Sequence, residues 1–277
     1  ECDERKDTKG INRKLLKANI SADYSVFVSE WLQNIFETFG MTNMNKKTIL
    51  GGSDIKIYNH DNKNIWKKNK KFKIVTHHWS SNWMKGFDVY QKLDLLLNNK
   101  EIADKISFTY IGNLPKGFSF VNANTMPPLD SIELSKKLRD FDGYITGSIN
   151  EPSGNHHVEG ALSGLPLLYI NSGGIPEYCD GYGVEFSIDN LEEKIFELIN
   201  NYQLYYEKLK YYNFTSDKTS QEYVDLFEHL ISNKEDYIES RKNISNLNLL
   251  LLSVEQSYYK VSIFFLRISN AIVKRIR

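Results

Sequence analysis

The sequence predicts an α/β fold built on a parallel sheet, and three observations carry that prediction. First, residues 143–149 (GYITGSI) form a β-branched and aromatic run of buried-strand length, residues 156–163 turn helical, and residues 167–170 (LLYI) form a second strand. Gly164-Leu165-Pro166 stops the helix, and Asn171-Ser172-Gly173-Gly174 closes the second strand. Two strands joined by a helix make a βαβ unit. Second, the same alternation stands upstream, with a strand at 72–77 (FKIVTH), helical periodicity at 88–97 and a strand at 106–112 (ISFTYIG). Third, the polar residues of these units gather in the loops that leave the strands. In parallel sheets that edge is where ligands sit.

The whole chain sets the bounds. At 277 residues it can hold one large or two modest domains with real cores. Apolar residues at 41% and charged residues at 25% are ordinary for a globular protein, and a net charge of zero implies no general attraction to nucleic acid. Cys2 and Cys179 stand far apart without metal-ligand spacing, which excludes a disulfide framework and suits a reducing cytoplasm. Asn19, Asn213 and Asn243 each open a glycosylation-type triplet, but nothing else points to secretion. No run reaches the ~20 apolar residues of a membrane span. The chain begins with Glu1 rather than Met, so it is expected to start inside a larger protein.

Taken in order, residues 1–17 are charged and read as a loop entering a helix. Residues 24–28 read as a short buried strand, with Ser29 capping a helix over about 30–39. A turn is only the plainer reading of Gly51-Gly52-Ser53-Asp54, and residues 59–71 (NHDNKNIWKKNKK) read as a linker whose lysines are solvated. The strand at 72–77 exits into His78-Trp79-Ser80-Ser81-Asn82-Trp83-Met84-Lys85-Gly86. Lys85 is a point charge at the ligand edge, suited to phosphate, against the plainer reading of an exposed loop lysine. His77 and His78 read as core or loop packing, with no third zinc ligand nearby. Residues 118–121 read as another short strand, followed by a helix at about 130–139. Asp140-Phe141-Asp142 imitates a D-x-D metal motif, but it precedes a strand and lies at the wrong edge. After residue 177 come a last short strand ending at Phe186 and helices at 191–201, 203–212 and 218–232, whose tyrosines (Tyr202, Tyr205, Tyr206, Tyr211, Tyr212) read as packing. The tail, residues 243–277, mixes apolar runs with Lys260, Arg267, Lys274, Arg275 and Arg277. It reads as a basic amphipathic helix lying on an anionic membrane surface, or as one packed against a protein.

The chemistry concentrates between Glu151 and Glu177. Glu151 lies in the loop leaving the 143–149 strand, and Glu159, after seven intervening residues, lies in the first turns of the helix. Both carboxylates can face one ligand from two sides. Between them, Gly154 and the backbone N–H groups of Asn155, His156 and His157 offer a positive helix end for phosphate. A carboxylate one turn on can accept two hydrogen bonds from a sugar diol. Phosphate at the helix end with hydroxyls at the carboxylates describes a sugar nucleotide.

The run from Glu151 to Glu159, followed by Gly164-Leu165-Pro166 and Gly173-Gly174-Ile175-Pro176-Glu177, resembles the E-x7-E region of retaining GT-B glycosyltransferases, family 4 in particular. The resemblance covers about residues 21–232. It implies a Rossmann-like nucleotide-sugar-binding domain at 72–233, a truncated remnant of a second Rossmann-like, acceptor-side domain at 1–58, a linker at 59–71 and a helical basic tail at 234–277. Ser29-Glu30-Trp31 is similar to the S-x-W end of the last N-terminal-domain strand in that family, and Lys85-Gly86 to the K-G half of its diphosphate clamp. The Arg of that clamp is absent here.

In roles carried over from the family, Lys85 and the helix end at Gly154, Asn155 and His156 would neutralise the leaving diphosphate. Glu159 would hold the ribose, Glu151 would contact the donor sugar, and Gly173, Gly174 and Glu177 would close the pocket. The resemblance implies no metal and no cofactor. It implies a nucleotide sugar and a glycan or lipid-linked acceptor as partners, retention at the transferred carbon, a role in bacterial surface polysaccharide synthesis, and a cytoplasmic site at the inner membrane face. Two other classes stay open: a sugar-nucleotide-binding module without turnover, and a GT-B-like nucleotide-sugar epimerase.

Overall fold

The computed structural model describes residues 8–20, 22–41, 45–241 and 254. The basic tail at 243–277, Cys2 and the charged start of the chain lie outside the described residues, apart from Val254. In chain order the elements are α1 (Thr8–Ile20), β1 (Ser25–Phe27), α2 (Glu30–Thr38), β2 (Lys46–Thr48), β3 (Phe72–His78), α3 (Phe87–Leu96), α4 (Lys100–Lys105) and β4 (Ile106–Gly112). Then come β5 (Asn124–Met126), α5 (Ser131–Leu138), β6 (Gly143–Thr146), α6 (Asn155–Leu162), β7 (Leu167–Ile170), α7 (Ile175–Cys179), β8 (Gly183–Phe186), α8 (Leu191–Asn200), α9 (Tyr202–Leu209), α10 (Ser216–Ser232) and α11 (Lys234–Arg241).

β5-β4-β3-β6-β7-β8 form one six-stranded sheet in which every pairing is parallel. Its interior strands are apolar on both faces, as a sheet covered by helices on both sides requires. The pleat sorts them. Phe72 and Ile74 of β3, with Ile145 and Leu168, pack under Tyr90, Leu93, Ile195 and Leu198 of α3 and α8. Val75, Tyr144, Leu167 and Tyr169 face the opposite way, into Leu134, Leu138, Val158 and Ala161 of α5 and α6. β1 and β2 form a separate parallel pair beside α2, which Ser29 caps by accepting from the Leu32 N–H. No helix among the described residues is long and apolar enough to cross a membrane.

Several local expectations change. Residues 118–121 are not a strand. Phe118 and Phe120 pack edge-on to each other and join the aromatic cluster with Trp83, Phe87 and Tyr110. The N–H groups of Val121, Asn122 and Ala123 donate to the buried Asp94 carboxylate at 2.8, 2.7 and 2.6 Å. Their donors are taken, so the ladder begins only at Asn124. β6 ends at Thr146 rather than 149, because the Ile149 N–H turns to the Met84 carbonyl at 2.8 Å.

The linker is not uniformly solvated. Lys63 is 8% exposed, with its ammonium on the Phe141 carbonyl, and burial pushes its pKa down to about 8. Gly51-Gly52 is more than a turn, since a Cβ on Gly52 would lie 2.3 Å from the Thr215 backbone. Tyr202, Tyr206 and Tyr212 pack in the core as expected, whereas Tyr211 is exposed. Asp142 accepts from the Lys73 N–H at 2.9 Å and Asp140 pairs with Lys137, so both acids of the D-x-D imitation have structural partners at the amino end of β6.

Candidate functional site

The carboxyl ends of β3, β4 and β6 and the loops that follow them enclose a cavity of about 470 Å³, within the size range of about 300–1,000 Å³ that small-molecule sites occupy. His77, His78, Trp79 and Lys85 reach it from β3 and its exit, and Gly112 from β4. Glu151, Gly154, Asn155, His156 and Glu159 reach it from the β6–α6 segment. Six of the expected site residues therefore converge: Lys85, Glu151, Gly154, Asn155, His156 and Glu159.

Lys85 ends a short 3-10 turn, and Gly86 behind it has φ +105°. A Cβ there would lie 2.7 Å from the Gly147 backbone, so this lysine loop closes on the exit of β6 only with glycine at that place. The Ser148 hydroxyl donates to the Lys85 carbonyl at 3.3 Å, which ties the two loops together. Across them, Lys85 Nζ lies 2.5 Å from Glu151 Oε2, with the side chains 29% and 12% exposed.

The N-terminus of α6 opens into the same cavity. Its cap is Gly154, no side chain closes it, and no acid stands in its first turn. The end of the helix dipole therefore faces the cavity with its N–H groups available to an anion. Glu159, one turn on, pairs with His77 Nε2 at 2.8 Å. The phenol of Tyr58 lies beside the same carboxylate, and burial together with that negative charge pushes its pKa up.

The floor is a set of buried imidazoles. The rings of His78 and His156 lie tilted against each other with centroids 4.5 Å apart, His78 Nε2 meets the Tyr90 hydroxyl at 2.7 Å, and His156 Nε2 meets Thr146 Oγ1 at 2.8 Å. Burial first, then the repulsion that a proton would meet from the neighbouring imidazoles and Lys85, pushes both well below the usual histidine range, so both are neutral near pH 7. His157 behind them is held down to about 3 by burial, and neither of its ring nitrogens has a hydrogen-bond partner among the described residues.

Gly173, Gly174 and Glu177 do not line the cavity. Gly173, at φ +67°, passes so close to the Glu151 backbone that a Cβ would lie 2.2 Å from its carbonyl oxygen. The Gly174 N–H donates to that carbonyl at 2.8 Å. These glycines hold the Glu151 loop from behind. The Glu177 carboxylate accepts from the N–H groups of Glu30 and Trp31 at 2.8 and 2.9 Å, so it holds the first turn of α2.

Sequence reasoning missed His77 as a partner of Glu159, Trp79 as an exposed wall of the cavity (76% exposed), and Tyr178. The Tyr178 hydroxyl gathers Gly51 N–H, Val28 carbonyl and Ser153 Oγ. The available signal was the T-H-H ending of an otherwise apolar strand at the ligand edge.

No family model matches the chain, and no curated protein sequence matches it. Solved structures do. HepE from Anabaena, in complex with UDP and glucose, aligns with a TM-score of 0.63 at 16% identity over 80% of this chain and 67% of its own. A glycosyltransferase from Rickettsia africae aligns at 0.62 and 15% identity over 84% of this chain and 69% of its own. WaaG, a glycosyltransferase involved in lipopolysaccharide biosynthesis, aligns at 0.55 and 14% identity over 69% and 58%. The chain thus spans between 58% and 69% of the length of these structures. At such identities the likeness establishes the fold, the Rossmann-like parallel sheet of GT-B glycosyltransferase structures.

Proposed function

We propose that this chain carries the donor site of a retaining glycosyltransferase, which moves a sugar from a nucleotide-diphosphate donor to an acceptor hydroxyl in surface polysaccharide synthesis. One observation carries the reading: a lysine, two carboxylates and an uncapped helix N-terminus meet in one cavity at the carboxyl edge of the sheet. The diphosphate sits at the α6 N-terminus with Lys85 as counter-charge, and these groups neutralise the negative charge that develops as the bond to the sugar breaks. Glu151, which pairs with Lys85, turns to the donor sugar and steadies positive charge at its anomeric carbon. Glu159 takes the ribose hydroxyls.

HepE holds UDP and glucose and WaaG acts in lipopolysaccharide biosynthesis, which supports a nucleotide-sugar donor and a glycan acceptor here through fold likeness. The absence of any arginine among the cavity-lining residues favours a second reading, a module that binds sugar nucleotide without turning it over.

Calorimetric titration of the chain with UDP, GDP and their sugar conjugates, without metal, tests the site. Saturable binding of one base class supports it, and a folded sample silent to all of them rejects it. Transfer to an acceptor then separates the enzyme from the binding module. Glu159→Ala should weaken nucleotide binding about ten- to a hundred-fold, the worth of roughly 1.5–3 kcal/mol for a charge-assisted hydrogen bond. Unchanged affinity in the folded variant removes Glu159 from the ribose contact.

A further inference from the structure

A hydrogen-bonded relay runs behind Glu159. The Tyr144 hydroxyl accepts from the His77 backbone N–H at 3.1 Å and lies 3.1 Å from His77 Nδ1. Tyr144 is fully buried, and burial pushes its phenol well above the usual range, so it keeps its single proton. Having accepted from the backbone, the hydroxyl directs that proton to Nδ1 in preference to the His77 carbonyl at 3.4 Å. With Nδ1 as acceptor, the ring hydrogen sits on Nε2, 2.8 Å from Glu159 Oε2, and donates to it. The residue after Glu159 makes this arrangement possible, since a Cβ on Gly160 would lie 2.5 Å from the Tyr144 ring. Glycine there lets Tyr144 and Glu159 approach one imidazole from opposite sides.

We infer that His77 is a positioning residue: it fixes the Glu159 carboxylate for the two ribose hydroxyls and so sets the preference of the site for ribonucleotides over 2′-deoxyribonucleotides. The inference rests on the donor-site reading above. A carboxylate offers about four lone-pair positions, so the bond from His77, with the Tyr58 phenol beside the same carboxylate, leaves capacity for a diol. The Glu159 side chain is only 16% exposed, and the bond to His77 has already removed much of its rotamer freedom. The diol therefore meets an acceptor that needs little further ordering on binding.

The test is the ratio of affinities for UDP or GDP, whichever binds, and the matching 2′-deoxynucleotide, measured by calorimetry on the full chain. The wild-type chain should prefer the ribonucleotide about ten- to a hundred-fold. His77→Ala should bring the two affinities to within about threefold, and His77→Gln, whose amide can donate in place of Nε2, should restore part of the preference. A purely structural role for His77 would weaken both nucleotides together and leave the ratio alone. If His77→Ala does not fold, Tyr144→Phe, which removes the hydroxyl that orients the ring, should lower the ratio in the same direction. A ratio unchanged in the folded variants, or a wild-type chain without ribose preference, overturns the inference while leaving the donor site standing. A wild-type chain that binds no nucleotide overturns both.

Discussion

Gly86 shows how much the position of one charged atom depends on a residue without a side chain. Lys85 meets Glu151 because the next residue takes φ +105° with its α-carbon pressed on Gly147. Gly86→Ala introduces both a disfavoured backbone conformation and a clash with rigid backbone, for a cost of roughly 2–4 kcal/mol. Urea denaturation should show that loss, and nucleotide affinity should fall with it because Lys85 shifts. A variant of wild-type stability would mean that the loop can close another way. The Glu151–Lys85 pair is a residue-scale property too. The two side chains face each other at 2.5 Å, and in the proposed donor site the phosphate and hydroxyls of a donor would compete for both. The Lys85-Gly86 dipeptide was legible in the sequence. Its partner Gly147 was not, because it lies 61 positions beyond Gly86 and only the pairing of β3 with β6 brings them together.

At the scale of elements, side chains that satisfy backbone groups decide where strands and helices begin. Asp94 on α3 accepts from three successive N–H groups and holds residues 121–123 out of the sheet. The β-propensity of Phe118-Ser119-Phe120-Val121 was real, but the aromatic rings found better packing in a cluster than in a ladder. Asp94→Ala leaves those donors without their charged acceptor, and unfolding free energy should fall by about 3–5 kcal/mol in urea titrations. A loss under about 1 kcal/mol would show that water replaces the carboxylate. Glu177 plays the corresponding part for α2. It reaches the first-turn N–H groups of Glu30 and Trp31, where a negative charge also suits the helix dipole. The G-G-I-P-E motif therefore serves two neighbours, the Glu151 loop through its glycines and α2 through its glutamate.

At the scale of the whole molecule, the buried imidazoles couple stability to pH. His78, His156 and His157 all lie below the ordinary histidine value near 6.5, so each is neutral in the native state where the unfolded chain begins to bind protons. The contribution of His157 is intact above about pH 6.5 and is lost as pH falls toward about 3, and those of His78 and His156 decline in the same direction. Each contributes a slope of up to about 1.4 kcal/mol per pH unit. In His157→Leu the decline of stability between pH 6 and pH 4 should be shallower by about that amount, read from urea midpoints at a series of pH values. An identical slope in both proteins would mean that His157 is protonated in the native state.

The βαβ units, and Glu151, Glu159 and Lys85 at the carboxyl edge of the sheet, were all set by local signals: apolar runs of strand length, helix stops, an uncapped glycine start. Such signals act within a dozen residues, so a sequence carries them openly. The tertiary structure alone decided that His77 meets Glu159 across 82 positions, that Glu177 serves α2 across 147, and that Lys63 leaves a polar linker for the interior. Those outcomes depend on which elements become neighbours and on which groups lose their water, and both are properties of the packed sheet rather than of any stretch of chain.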